Sequence, residues 1–167
     1  GAVMKAELPK KFDTEAAAHK FLESLIGSTF TISNVVTTPG TRNPAAPFTT
    51  STLQQEANSR LGFGAKATMG SAQKLYQEGK ITYMRTDSVN LSGQALSQIT
   101  NFVTSTYGEE YHQFRTFKTK SSGAQEAHEA IRPTDISVEK ASSDPYNQKL
   151  YALIRNRALA SQMAPAK

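Results

Sequence analysis

Apolar and polar residues alternate along the start of the chain, with Ala2, Met4, Ala6 and Leu8 on one side and Val3, Lys5 and Glu7 on the other. That period of two predicts a strand. Asp13 can cap a helix whose inner stripe is Ala18, Phe21, Leu22, Leu25 and Ile26, and Gly27 can close it in left-handed geometry. A second strand is predicted from Phe30 to Thr37. Pro39, Gly40, Pro44 and Pro47 then crowd together, which reads as connecting chain. The boundary between a first unit, 1–40, and a second, 41–167, is placed there.

Beyond it the pattern turns helical. Ser51 and Gln54 have capping-box spacing, Leu53, Ala57 and Leu61 form a stripe, and Gly62 ends it. After the GFG turn, a helix from about Lys66 to Glu78 presents Met69, Ala72, Leu75 and Tyr76 inward and stops at Gly79; ITYM then reads as a strand. Helix, glycine turn, helix and strand is the order of a helix-turn-helix with a wing. Ser92 caps a further helix with Leu96, Ile99 and Val103 inside and Gly108 after it. A short helix is expected through QEAHEAI, ending at Arg132 before Pro133. Asp144 and Pro145 open a last helix carrying Leu150, Leu153, Ile154 and Ala158. The fold class is mainly α with minor β (α+β): a helical, winged-helix-like second unit behind a strand-helix-strand first unit.

Composition narrows the chemistry. The 167 residues contain no cysteine, so disulfides, thiolate metal sites and cysteine nucleophiles are excluded. Histidines stand at 19, 112 and 128, without HExxH spacing, and Asp13, Asp87, Asp135 and Asp144 never form a DxD pair. No self-contained metal site is expected. A net charge of +5 makes a polyanionic partner plausible, as it would an ordinary solvated surface. No apolar run approaches the ~18 residues of a spanning helix, and the amino terminus lacks a signal-peptide block. The expected location is cytoplasmic, without a membrane partner. Because the chain starts inside an expected strand and ends on MAPAK with no closing signal, it reads as a piece of a longer protein.

The most informative segment is GKITYMRTDSVNLS, Gly79 to Ser92. If it stays extended, Tyr83, Arg85 and Asp87 share one face, with the first two α-carbons about 6.5–7 Å apart. A phenol and a guanidinium would then meet one ligand. A phosphodiester held by Arg85 would be neutralised where negative charge grows during attack. A phenol is only about 0.1% ionised near neutral pH, so a base or cation must assist it. A core tyrosine and an Arg85–Asp87 surface pair fit the same residues. Between 111 and 125, Arg115, Lys118 and Lys120 alternate with Tyr111, Phe114 and Phe117, a mixture able to hold phosphates and stack bases, or a loop pinned by its aromatics.

The stretch PFTTSTLQQEANSRLGFGAKATMGSAQKLYQEGKITYMRTDSVNLS, with GAQEAHEAIRPT and KLYALIRNRALASQM downstream, resembles the type IA DNA topoisomerases and, within them, the bacterial topoisomerase I group. The resemblance runs from about Pro47 to the end. YMRTDS is its most specific motif, and EAHEAIRPT supports it independently. Residues 1–40 look like one limb of the family's β-rich arch.

The resemblance implies that Tyr83 attacks single-stranded DNA, forms a 5′-phosphotyrosine and is displaced by the retained 3′-hydroxyl, so that negative supercoils relax without ATP. It implies that Arg85 positions the scissile phosphate and that His128 lies near the DNA backbone. Arg132, Lys118 and Lys120 join it as DNA-binding candidates, although Asp87 and Arg132 are expected to serve mainly in structural hydrogen bonding. In the family, Mg²⁺ is held by an acidic Toprim domain; nothing here matches it, so the ligands are expected outside this chain. The expected partners are single-stranded DNA, the Toprim domain and the remaining arch, with the chain inactive by itself. A winged-helix module reading duplex DNA through Lys66, Thr68, Ser71, Gln73 and Lys74, or a protein-interaction domain, remains the alternative.

Overall fold

The computed structural model describes residues 3, 5–9, 11–117 and 128–166, and the chain divides into two units, Gly1–Thr38 and Pro39–Lys167. In the first unit the helix α1, Glu15–Ser24, is capped by the Thr14 side chain, which accepts from the Ala17 amide. Asp13 is therefore not the cap. Gly27 does take the left-handed conformation expected of it, at φ 77°. Phe12 packs on Phe21 at 5.1 Å between centroids. No residue of α1 is buried, and the two predicted strands are absent among the described residues. Phe30, Ile32, Val35 and Val36 are exposed. Alternation supplies a face, but a strand needs a neighbouring ladder to receive its N–H and C=O groups.

Among the described residues, the second unit is built on four α-helices. α2, Thr50–Leu61, begins in a reciprocal box between Thr49 and Thr52, two residues earlier than Ser51 and Gln54 would set it, and ends on Gly62 at φ 69°. α3, Ala65–Gln77, follows after the GFG turn and is closed by Gly79 at φ 67°. α4, Gly93–Thr106, is capped by Ser92, and a single 3-10 turn follows at Glu109–Tyr111. α5, Pro145–Ser161, starts as expected from Asp144, whose carboxylate accepts the Asn147 amide, with proline in the first turn, where no N–H is missed.

α3 packs against α5, and α2 against both. Their apolar faces meet in one core of Phe48, Leu53, Ala57, Phe63, Ala72, Leu75, Ile81, Met84, Ile131, Leu150, Tyr151 and Ile154. A second cluster joins Ile99 and Val103 of α4 to Ile136, Ala158 and Leu159. Arg155, 7% exposed, donates from Nε to Ile136 O at 2.8 Å and lies 4.9 Å over the Phe102 ring. Arg157 similarly donates to Ala46 O at 2.7 Å and covers the Phe48 ring at 4.5 Å, fixing the approach to α2.

Two expectations fail here. ITYM makes an isolated antiparallel pair, Ile81 with Pro133, in place of a strand, so no wing follows α3. His128 to Ile131, the described end of QEAHEAI, is not helical, the rest of the segment lying outside the described residues; Ile131 pairs with Phe48. In both places the backbone groups are taken by distant segments, which overrides the local pattern. No helix among the described residues is long and apolar enough to cross a membrane.

The end of α5 is held by a side chain that the sequence pattern does not single out. Gln162, 1% exposed, accepts the Arg115 amide on Oε1 at 3.0 Å and donates from Nε2 to Arg115 O at 3.1 Å. Truncation to alanine leaves two backbone groups unpaired. Gln162→Ala is expected to lower unfolding free energy by about 2–3 kcal/mol, read from urea denaturation of the chain. A loss below about 0.5 kcal/mol would show that the clasp is replaceable by water.

Candidate active site

The two motifs are brought together by backbone lacing. Beyond Gly79, the Thr82 amide donates to Arg132 O at 2.9 Å and the Thr134 amide to Lys80 O at 3.0 Å. The Thr82 hydroxyl accepts the Arg132 amide at 3.0 Å and donates to Ala130 O at 2.7 Å. The Ala130 amide reaches Asn90 O at 2.8 Å, and that of Ile131 reaches Phe48 O at 2.8 Å. The segment carrying HEAIRPT is thereby laid along the segment carrying TYMRTDS.

Burial alternates through that segment, although the backbone bends at Thr82, Met84 and Arg85 and is no flat strand. Met84, Thr86 and Ser88 point inward, while Tyr83, Arg85 and Asp87 are exposed. Tyr83 is 45% exposed and meets Tyr76 edge-on, with centroids 5.2 Å apart and planes at 64°. Tyr76 itself is 40% exposed, so the inward position expected for it on α3 is not the one it takes. The helical period places it beside Leu75, but the core closes one residue earlier.

Tyr76, Thr82, Tyr83, Thr86, His128 and Glu129 line a cleft of about 310 Å³. It holds a phenol from one motif beside an imidazole from the other. Arg85 follows Tyr83 by two residues but does not line the cleft, and no ion pair of Arg85 occurs among the described residues. A larger cleft, about 1040 Å³, lies between Arg42–Ala45, Glu110–Gln113 and the end of α5 and contains neither motif.

Glu129 and Arg132 form the cleft's electrostatic footing. Arg132 Nη2 donates to Glu129 Oε2 at 2.7 Å and Nε to Oε1 at 3.2 Å, while the Ser92 amide donates to Oε1 at 2.6 Å. Arg132 Nη1 donates to Pro133 O at 2.9 Å. Only 12% of the Arg132 side chain is exposed, and its guanidinium is engaged in structural hydrogen bonding of the kind expected of it. Burial by itself would raise the Glu129 carboxyl; the donors on Arg132 and Ser92 outweigh it and hold the group below the ordinary glutamate range.

The other candidates divide. Arg115 donates to Gln113 Oε1 and to Met163 O, so it too is internally engaged, whereas Tyr111 and Phe114 are exposed. Lys118 and Lys120 lie outside the described residues. Thr68, part of the alternative duplex-reading face, is fully buried and donates to Gly64 O at 3.1 Å, so it cannot reach a base edge. Among the described residues no three His, Asp or Glu side chains gather as a metal site requires. The magnesium implied by the resemblance thus finds no donor set in them.

Because the Glu129 carboxyl is depressed in the folded chain, its contribution to stability is complete above the ordinary glutamate pKa and is lost as pH falls through the lower folded value. Acid melts should show it. Between about pH 5 and pH 3 the original chain is expected to lose stability more steeply than Glu129→Gln; parallel curves would mean that the Arg132 pair contributes nothing.

Comparison with known proteins agrees with the motifs. A family profile described as DNA topoisomerase matches residues 2–167. A DNA topoisomerase 1 of Zymomonas mobilis is 55% identical over 140 residues, covering 83% of this chain and 12% of its own. The Acanthamoeba polyphaga mimivirus protein named DNA topoisomerase 1 type prokaryotic is 49% identical over 150 residues, covering 88% of this chain and 18% of its own. Full-length topoisomerase I from Thermotoga maritima superposes with a TM-score of 0.67 at 36% identity, over 95% of this chain and 27% of that one. The chain therefore spans less than a fifth of these two sequence relatives. With a match running through both laced motifs, the chain belongs to the DNA topoisomerase family, among its topoisomerase I members.

Proposed function

We propose that this chain supplies the nucleophilic half of a topoisomerase I active site, with Tyr83 as the attacking group on a single-stranded DNA phosphodiester. The observation that carries the reading is the exposed Tyr83 phenol standing in the wall of a cleft shared with His128 from the second motif. In the step, a bond forms between the Tyr83 oxygen and phosphorus while the bond from phosphorus to the 3′-oxygen breaks. The phenol's proton ends on that 3′-oxygen. The 5′-phosphotyrosine conserves the bond energy, so attack by the 3′-hydroxyl reverses the step without ATP. Relaxation of negative supercoils follows from passing a strand through the gap.

Each side chain has a distinct task. Arg85, exposed and without an ion partner among the described residues, offers a planar fork to the scissile phosphate. His128 lines the cleft where a ring N–H can donate to a neighbouring phosphate oxygen. Tyr76 restricts the Tyr83 ring from the side. Glu129, neutralised by Arg132, keeps its negative charge away from an incoming polyanion. On this reading single-stranded DNA, a Toprim domain and the remaining arch are the partners, magnesium is held outside the chain, and the chain alone carries only part of the machinery.

The test is covalent trapping on labelled single-stranded DNA, using full-length protein that contains this chain. Tyr83→Phe keeps the ring and its edge contact but removes the oxygen, so the adduct is expected to vanish while the melting temperature and DNA affinity persist. Undiminished adduct in Tyr83→Phe would overturn the assignment.

A further inference from the structure

Arg85 sits in a segment without regular structure, yet the peptides on both of its sides are fixed by one residue from another element. Thr50, the first residue of α2, donates its amide to Thr86 O at 2.9 Å. Its hydroxyl accepts the Thr86 amide at 2.9 Å, donates to Met84 O at 2.8 Å and lies 3.1 Å from Thr86 O. A hydroxyl has one proton to give and two lone pairs to receive with, so a single side chain can hold a carbonyl before Arg85 and an amide after it.

The same contacts resolve a difficulty at the helix start. N–H groups in the first turn of a helix have no acceptor within it, and the Thr50 amide finds one in the active-site segment. Thr50 is itself anchored: Thr49 caps the helix, Phe48 is 1% exposed and paired with Ile131, and Leu53 is fully buried. The clasp therefore transmits the rigidity of the core to the backbone at residue 85. The Arg85 guanidinium has no ion pair among the described residues, so the direction of its side chain is set from the backbone outward.

We propose that Thr50 is a positioning residue for Arg85, fixing the peptides that flank it so that the guanidinium is presented to the scissile phosphate. This rests on the reading of Arg85 given above. Thr50→Val preserves the branched shape and removes the hydroxyl, leaving the Thr86 amide and Met84 carbonyl without that partner, while Thr50→Ser restores it. Loss of the clasp changes where Arg85 points rather than how strongly the protein attracts DNA, so cleavage suffers more than binding.

The experiment compares Thr50→Val, Thr50→Ser, Arg85→Ala and the Thr50→Val/Arg85→Ala double variant in full-length protein, measuring single-turnover cleavage of an oligonucleotide and its Kd. Thr50→Val is expected to cleave at least ~10-fold more slowly with Kd changed less than about twofold, and Thr50→Ser to cleave within about twofold of the original. If Thr50 acts through Arg85, the double variant is no slower than Arg85→Ala, within about twofold. Losses that multiply in the double variant, or an unimpaired Thr50→Val, overturn the inference. If Arg85→Ala cleaves normally, the reading of Arg85 falls and the inference with it; if Arg85→Ala is slow and Thr50→Val is not, only the inference falls. Hydrogen exchange at the Thr86 amide in the unaltered protein gives a check that needs no variant to fold: protection is expected, and exchange at the rate of an exposed loop overturns the clasp.

Discussion

The Thr82 hydroxyl, which accepts the Arg132 amide and donates to Ala130 O, is the contact on which the rest of the site depends. Two segments that form neither helix nor strand run beside one another through the core, and their buried N–H and C=O groups must find partners there. Thr82, Lys80, Asn90 and Phe48 provide them for residues 130 to 134. Once that lacing is made, Ile81, Met84 and Ile131 enter the core, and Tyr83 and His128 are left facing outward on one cleft. The cleft proposed as the active site is thus the outer side of a buried polar seam.

Charge is arranged around the seam so that its exposed part stays open to an anion. Glu129, the carboxylate in the lining of the cleft, is occupied by Arg132 and the Ser92 amide. Glu56 is paired likewise with Arg60 and lies 3.8 Å from Arg157. Ion pairs of this kind contribute modestly to stability when partly exposed. On the proposed reading, the Arg132 pair also occupies a carboxylate that would repel phosphate, while Arg85 remains unpaired among the described residues.

Local signals made the helices legible and left the seam hidden. Ser92, Asp144 and Gly62 act where the sequence places them, because capping and left-handed closure are decided within a turn or two of chain. The alternation that puts Tyr83, Arg85 and Asp87 on one face was likewise visible in the motif. ITYM and the end of QEAHEAI carry strand-like and helix-like patterns, yet they answer to partners forty or more residues away, which no short window contains. Tyr76 obeys the helical period of α3 and still faces the cleft, since the core stops at Leu75. Arg132 was expected in structural hydrogen bonding, but its partner, Glu129 three residues before it, was not named. Thr50 gave no signal at all, because a threonine in a run of threonines looks like capping chemistry until its contacts to Met84 and Thr86 are seen.

The proposed site depends on the seam being a cooperative part of the core and not a surface loop. Amide hydrogen exchange on the chain measures this directly at Thr82, Ala130, Ile131, Arg132 and Thr134. These amides are expected to exchange slowly and together, with an opening free energy close to that of the buried turns of α5. Exchange at the rate of the exposed residues 30–37, with α5 still protected, would contradict the claim that docking of the second motif builds the site.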